Sequence, residues 1–481
     1  MEIPNFDENI SKLLDEWYRV SEFDKKTILK LALTSELLSQ SFVNKNLAEK
    51  KIVSALSYRN SYNIWWTLKK SVWFILWLFK WLLFLKYIKR KKIIISAIGS
   101  NLNSTSEYFK QLSKIALQNN CLVIVLNLVE SFSILKDSRI VYYPRFLYLR
   151  TNLSHNEFGM KTLDEIIDDF KNSAKANNLP VSLKLNKLAS TFENLIHDYR
   201  SYKYLVEVYL SKKQIVAIVQ DYDYTYNKFI YWHISKTNRI KTIVIDTSLT
   251  LYKHLYKKVF SDYHFVWGED KKNFLAKNNS IGISKIIITG KPTTSIFNST
   301  KKSIASNLWL YISQAYSDPA MFISGRDFKS FKKNIEKLSK YQKNHYPRDR
   351  FVLKIHPADN PLDYDLNLKL INKVNIFDLL ENAKIIFVED TTLVVDLISR
   401  GYPVLYILDS RGNDNIGLVN KGVIPGINLN QNFKETLDSL LNGKYTVNPD
   451  VRTNTIKYYN GDYDSKSFLK LLNNILFNDK E

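Results

Sequence analysis

Apolar residues along this chain follow two patterns. In the first they form short unbroken runs bounded by polar or turn residues, at Ile93 to Ile98, Leu122 to Leu128, Ile215 to Val219, Lys241 to Ile245, Trp309 to Ser313, Phe351 to Ile355, Lys384 to Val388 and Val404 to Leu408. In the second they recur every third or fourth position through polar stretches: two or three amphipathic helices in residues 8 to 58, then about Ser104 to Gln118, Thr162 to Tyr209 and Ser465 to Leu476. A short solid run is what a strand covered on both faces requires, and the longer spacing is that of a helix with one buried side. Their alternation predicts an α/β fold with parallel sheets. Thr289-Gly290-Lys291-Pro292 breaks a strand and marks the best boundary. The expected organisation is therefore a helical extension over 1–92, a first α/β domain over 93–292 and a second over 293–481. With 13 Gly and 11 Pro in 481 residues and no internal repeat, the connections must be short.

Residues 64 to 92 break this rhythm. The apolar run Val72 to Leu85 is shorter than the roughly 20 residues of a spanning helix, and Lys80 interrupts it. At about 100° per residue, Lys69, Trp73, Trp77, Lys80, Trp81 and Phe84 share one side, and Phe74, Ile75, Leu78, Phe79, Leu82 and Leu85 the other. Lys86, Lys89, Arg90, Lys91 and Lys92 follow. A Trp/Lys side opposite a Leu/Ile/Phe side suits a helix lying in the headgroup plane of an anionic membrane. The alternatives are a scaffold helix packed on the first domain and a true span.

Candidate chemistry gathers at predicted strand ends. In open α/β sheets ligands sit at the carboxyl ends of the strands. Lys354-Ile355-His356-Pro357 ends one strand, and Asp390-Thr391-Thr392 follows another. His356 can donate to a phosphate oxygen, Pro357 fixes the turn that aims it, Lys354 can add charge, and the hydroxyls of Thr391 and Thr392 stand at a helix start. Together they make a cradle for a nucleotide phosphate or diphosphate. Gly99-Ser100, after the first strand, allows close backbone approach to a ligand, but no further glycines complete a dinucleotide fingerprint. Asp221-Tyr222-Asp223 could hold a divalent ion. The same Asp-Tyr-Asp recurs at 363–365 and 462–464, so no metal is expected from it.

The order strand, Lys-x-His-Pro, strand, Glu389-Asp390-Thr391-Thr392, then Asp396-Leu-Ile-Ser-Arg-Gly-Tyr-Pro-Val-Leu-Tyr406 resembles the C-terminal half of GT-B glycosyltransferases of bacterial surface polysaccharide synthesis. These include capsule and lipopolysaccharide enzymes and bacterial sialyltransferases with their HP and S-S/T motifs, with teichoic acid glycerophosphate transferases more distant. Asp246-Thr247-Ser248, the block Asp262 to Gly268 ending in Val-Trp-Gly, and Ile287-Ile288-Thr289-Gly290-Lys291-Pro292 agree with the end of that superfamily's first domain. The resemblance covers roughly residues 210 to 470. It implies a GT-B fold of two Rossmann-like domains facing a cleft, with nucleotide-sugar donor binding in the second. Many relatives carry Gln-His-Gly, or two acidic residues and Gly, where this chain has Asp246-Thr247-Ser248. Asp246 is thus the first choice of general base, with Asp221 and Asp223 in reserve and His254 as a further candidate. Asp396, where relatives have Glu, is expected at the ribose.

Composition narrows the classes. With 45% hydrophobic residues the chain is not generally disordered. The single Cys121 excludes an intrachain disulfide and reads as core. Met1 to Glu8 is acidic and polar, without a secretory signal, so a cytoplasmic location at the inner membrane face is expected. The formal charge of +22 brings no groove-reading or RNA-binding motif with it, so nucleic acid is not expected; anionic substrates and membrane surfaces are. The leading expectation is an inverting, metal-independent glycosyltransferase, needing no cofactor, that moves a sugar from a CMP- or UDP-linked donor to a surface polysaccharide or lipid-linked glycan. The alternatives are a CDP-activated polyol-phosphate transferase, a sugar-nucleotide epimerase, and an inactive scaffold.

Overall fold

The computed structural model describes residues 6–17, 26–27, 29–34, 37, 64–88, 91–98, 103–126, 137–143, 160–179, 181, 183, 185–210, 214–221, 226–246, 260–278, 285–292, 307–314, 316, 328–356, 359, 364, 369–371, 376–409, 412–431, 433–442 and 449–478. Two entirely parallel sheets organise them. The first holds β1 (Ile93–Ala97), β2 (Leu122–Val125), β3 (Ile140–Tyr142), β4 (Ile215–Gln220), β5 (Lys241–Ile245), β6 (Tyr263–Val266) and β7 (Ile286–Ile288) in the order β3-β2-β1-β4-β5-β6-β7. The second holds β8 (Leu308–Ile312), β9 (Arg350–Lys354), β10 (Lys369–Ile371), β11 (Ala383–Val388), β12 (Val404–Ile407) and β13 (Gly426–Ile427) in the order β10-β9-β8-β11-β12-β13. Both sheets grow outward from their own first strand in one direction and then the other. That is the Rossmann order, with a reversal between β1 and β4 and another between β8 and β11. This is the α/β class with parallel sheets expected from the solid apolar runs, in the arrangement of two Rossmann-like sheets that the resemblance implied.

The helices that cover the sheets are α1 (Phe6–Trp17), α2 (Ile64–Ile88), α3 (Asn103–Gln118), α4 (Met160–Ala176), α5 (Leu185–Lys203), α6 (Tyr226–Thr237), α7 (Glu269–Asn278), α8 (Phe328–His345), α9 (Ile376–Leu380), α10 (Leu393–Ser399), α11 (Lys434–Leu441), α12 (Pro449–Asn460) and α13 (Ser465–Phe477). The charged stretch expected as one helical region resolves into α4, α5 and a π-helical turn at Tyr204–Tyr209. Between α4 and α5, Asn178 adopts φ 54°, the left-handed conformation that ends a helix. The N-terminal helices are part of the first unit's core: Leu13, Trp17, Leu29, Leu31, Leu33 and Leu37 pack in one buried cluster with residues of α4, α5, β1 and β2.

After covering the second sheet with Tyr459 of α12, the chain crosses back, and Phe468, Leu472, Ile475 and Leu476 of α13 enter the core of the first. The outward and return passages lie side by side, with Lys291 N–H donating to the Asn460 carbonyl at 2.7 Å. Two glycines make this possible. Gly290 and Gly461 have φ 76° and 58°, and a Cβ on them would stand 2.3 Å from Tyr463 N and 2.2 Å from the Trp267 carbonyl.

Helix α2 settles one of the sequence questions. Trp77 and Trp81 are fully buried, edge-on to Tyr142 and Tyr143 at ring-centroid distances of 6.3 and 5.6 Å. Lys80 donates to the Asp137 carbonyl, and burial lowers its ammonium to about 8. Trp77, Lys80 and Trp81 of the Trp/Lys side, expected at the headgroups, therefore pack on the first unit, while Lys69 and Phe84 have side chains outside the described set. No helix among the described residues is long and apolar enough to cross a membrane.

Candidate functional site

The second sheet's carboxyl edge collects most of the expected donor residues. Ile312 of β8 is level with Lys354 of β9 on one side and Val388 of β11 on the other. Continued two residues further, this register sets Gln314 between His356 and Asp390, at the reversal between β8 and β11 where such sheets hold ligands. Strand spacing puts the His356 and Asp390 positions roughly 10 Å apart. The edge is internally braced. Ser313 donates its N–H to the Lys354 carbonyl at 3.0 Å and accepts from the His356 N–H at 3.1 Å on its hydroxyl. The His356 carbonyl accepts from Asp359 N–H at 3.0 Å, closing the turn that carries the exposed imidazole.

Behind that surface lies a layer of carboxylates and tyrosines. Glu389, 1% exposed, accepts from the hydroxyls of Tyr311 at 2.7 Å and Tyr316 at 2.6 Å. Asp359 accepts from Tyr364 OH at 2.5 Å and Tyr316 N–H at 3.1 Å. Burial, then the Asp359 charge, raises the Tyr364 phenol well above its ordinary range, so it stays a donor. Asp390 is fixed by Tyr406 OH on one oxygen and by Asn415 Nδ2 at 2.8 Å on the other. Lys354 lies buried with Nζ on the Ile355 carbonyl at 2.8 Å, and desolvation lowers its pKa.

The remaining donor candidates divide. Thr391 accepts the Leu393 N–H at 3.3 Å on Oγ1, while Thr392, the N-cap of α10, makes no capping bond with its side chain. Both are partly exposed. Because α10 has only seven residues, the charge at its start is local rather than that of a long dipole. Asp396 is engaged in the crossing between the units: one oxygen pairs with Lys291 Nζ and the other accepts from Asn460 Nδ2 at 3.2 Å. Pro357 lies outside the described residues.

At the first sheet's carboxyl edge both described carboxylates are buried ion pairs. Asp246, 2% exposed, stands 2.5 Å from Lys271 Nζ, and its carbonyl accepts from Tyr108 OH and Trp267 Nε1, each at 2.9 Å. Asp221 pairs with Lys228 Nζ at 2.8 Å, and the same ammonium reaches the Ala97 carbonyl, bridging β4 to β1 across the reversal. Gly99, Ser100, Asp223 and His254 lie outside the described residues. Among those described, no three His, Cys, Asp or Glu side chains gather as a metal site. One repeat of Asp-Tyr-Asp has a plain local role: Asp464 caps α13, accepting from the N–H groups of Lys466 and Ser467. Cys121 is buried, and burial pushes its thiol up to about 11, which removes it as a nucleophile.

Sequence reasoning missed Gln314. It is 4% exposed, and neither its amide nitrogen nor its amide oxygen has a hydrogen-bond partner among the described residues. A buried amide left unmatched in this way is costly, and a ligand at the strand edge would satisfy it. The only sequence signal was its position directly after a strand.

No family model matches the chain, and no curated protein matches it. Among solved structures it is similar to the UDP-GlcNAc 2-epimerase of Neisseria meningitidis bound to UDP-GlcNAc, at 17% identity and TM-score 0.43, covering 80% of this chain and 100% of that one. A putative UDP-N-acetylglucosamine 2-epimerase of Listeria monocytogenes aligns at 12% identity and TM-score 0.46, over 81% and 98%. A glycosyltransferase of Rickettsia africae aligns at 11% and 0.44, over 81% and 100%. At these values they are likenesses of overall shape, and nothing of function is drawn from them.

Proposed function

We propose that this chain is a nucleotide-sugar-dependent glycosyltransferase of the GT-B kind. The observation that carries the reading is the second sheet's carboxyl edge, where an exposed His356, a buried Gln314 unmatched among the described residues and the partly exposed Thr391 and Thr392 stand at neighbouring strand ends about the β8/β11 reversal. Such an edge presents neutral donors and an imidazole to a leaving phosphate, so charge that builds on the nucleotide is met by protein groups. Lys354 supports the strand end from within. The first sheet would bring the acceptor hydroxyl and a base, Asp246 first and Asp221 or Asp223 next, for direct displacement with inversion and no metal requirement. A CMP- or UDP-linked donor, a surface polysaccharide or lipid-linked glycan as acceptor, and an anionic membrane surface complete the proposal.

One observation favours a second reading. Asp246 and Asp221 are both buried against lysines, as suits a chain that binds a nucleotide-sugar without transferring it. A panel of CMP-, UDP-, GDP- and CDP-linked sugars, followed by calorimetry and by release of free nucleotide, separates the two. Turnover supports the transferase, tight binding without release supports the scaffold, and no binding to any donor removes both. His356→Ala and the pair Thr391→Ala/Thr392→Ala should each weaken the preferred nucleotide by about tenfold to a hundredfold, the value of a lost hydrogen bond to a charged group. Wild-type affinity in both variants would remove the cradle.

A further inference from the structure

We propose that α2 is a two-sided adaptor whose outward stripe, Val72, Ile75, Leu76, Phe79, Leu82 and Leu83, docks flat onto an anionic membrane leaflet. The proposal rests on the membrane-surface part of the reading above and is independent of its nucleotide part. These six side chains are 42–62% exposed. The other large apolar side chains exposed among the described residues, Leu117, Leu185, Val208 and Val451, stand singly on four different elements. Single exposed apolar residues are ordinary; a contiguous stripe of six is not.

The geometry of the helix assigns each side its task. At about 100° per residue the six lie within an arc of roughly 120°, and the middle of that arc is diametrically opposite Trp77, Trp81 and Ile88. Those three are buried to 1% exposure or less, and Lys80 between them is anchored on the Asp137 carbonyl. One side is thus keyed into the first unit while the other faces outward from Val72 to Leu83, roughly 17 Å along the helix. No helix among the described residues is long and apolar enough to span, so the stripe suits a surface that takes up a helix lying in its plane.

Charge selects the occupant. The sequence Ile64–Ile88 contains no Asp or Glu; Lys69 and Lys70 precede the stripe, and Lys86, Lys89, Arg90, Lys91 and Lys92 follow it. A second copy docked through this stripe would bring two such basic sets together with no acidic residue of α2 to match them. An anionic leaflet neutralises them at both ends while its acyl region receives the stripe. Because the Trp77/Trp81 side is fixed to the first sheet, docking would hold the whole first unit in one orientation on the membrane.

The test uses the full-length protein and vesicles of phosphatidylcholine with phosphatidylserine, against vesicles of phosphatidylcholine alone. Wild type should sediment with the anionic vesicles and less so in high salt. Ile75→Ser/Phe79→Ser/Leu82→Ser should lose more than about tenfold of that binding, while Leu117→Ser/Leu185→Ser should keep it. A probe that brightens in apolar surroundings, attached at Phe79→Cys, should respond to anionic vesicles, and the same probe at Leu117→Cys should not. The proposal is overturned by a triple variant that binds as wild type, or by a wild type that ignores anionic vesicles. It is equally overturned if, without vesicles, the wild type self-associates in sedimentation velocity and the triple variant does not, since the stripe then belongs to a second copy. Nucleotide affinity measured on the same preparations should be equal in wild type and variant. Absent nucleotide binding in every preparation would count against the transferase reading and leave the vesicle result standing.

Discussion

Gln314 and Asp246 show how differently two residues after strands can be used. Gln314 is a buried amide without partners among the described residues, so Gln314→Leu should raise the ligand-free unfolding midpoint, a gain of about 1 kcal/mol from removing an unmatched polar group. The same change should weaken nucleotide binding by roughly tenfold. A variant less stable than wild type with unchanged nucleotide affinity would show that the amide serves the fold. Asp246 is matched by Lys271 at 2.5 Å, so its removal acts twice. Asp246→Asn removes the carboxylate charge that Lys271 faces in a buried pair, which should cost about 3–5 kcal/mol in urea unfolding. Asp246→Asn/Lys271→Met removes both charges and should recover most of that stability. If Asp246 is also the base, turnover stays down by about a hundredfold to ten-thousandfold in both variants. If turnover returns with stability, Asp246 is an ion-pair partner for α7, and the search passes to Asp221, Asp223 and His254.

At the scale of elements, α2 carries the clearest pH signature. Burial holds Lys80 at about 8 against an ordinary 10.5, so between those values the unfolded chain binds the proton that the folded chain has released. Stability must therefore rise as pH climbs from about 8 toward 10.5, because burying the charged form is the cost that deprotonation relieves. Chemical unfolding followed across that window should show the rise in wild type and lose it in Lys80→Met; a flat wild-type profile would mean that water reaches the ammonium. Eight of the thirteen strands were legible from their solid apolar runs, since burial on both faces leaves no room for alternation, as all five residues of β1 and of β8 show, whereas β3, β10 and β13, only two or three residues long, were not. The assignment of helix sides was not legible. The Trp/Lys and Leu/Ile/Phe sides of α2 were separable by periodicity, yet which of them meets protein depends on Tyr142, Tyr143 and Asp137, distant in sequence from parts of the helix they receive.

For the whole molecule, the N-terminal extension is structural. Leu13, Trp17, Leu29 and Leu33 are buried in the first unit's core, so deletion of residues 1 to 92 should leave a chain that binds a hydrophobic dye and loses its sharp thermal transition. A truncated chain that melts cooperatively near the wild-type midpoint would show that the first sheet stands alone. The sequence by itself determined the α/β class, most of the two sets of parallel strands and the strand ends where the candidate residues stand, because those follow from local apolar runs and from turn residues at fixed offsets. Tertiary structure decided what the candidates at those ends touch. Asp396 faces Lys291 and Asn460 because the chain crosses between the units there, and Asp221 and Asp246 each meet a lysine presented by the following helix packing. Gln314 is noticed only once β9 and β11 flank it and bury its amide. Hydrophobic periodicity is a property of neighbours along the chain, whereas the partner of a buried charge or amide is set by which strands lie side by side, and that order is fixed only when the sheets close.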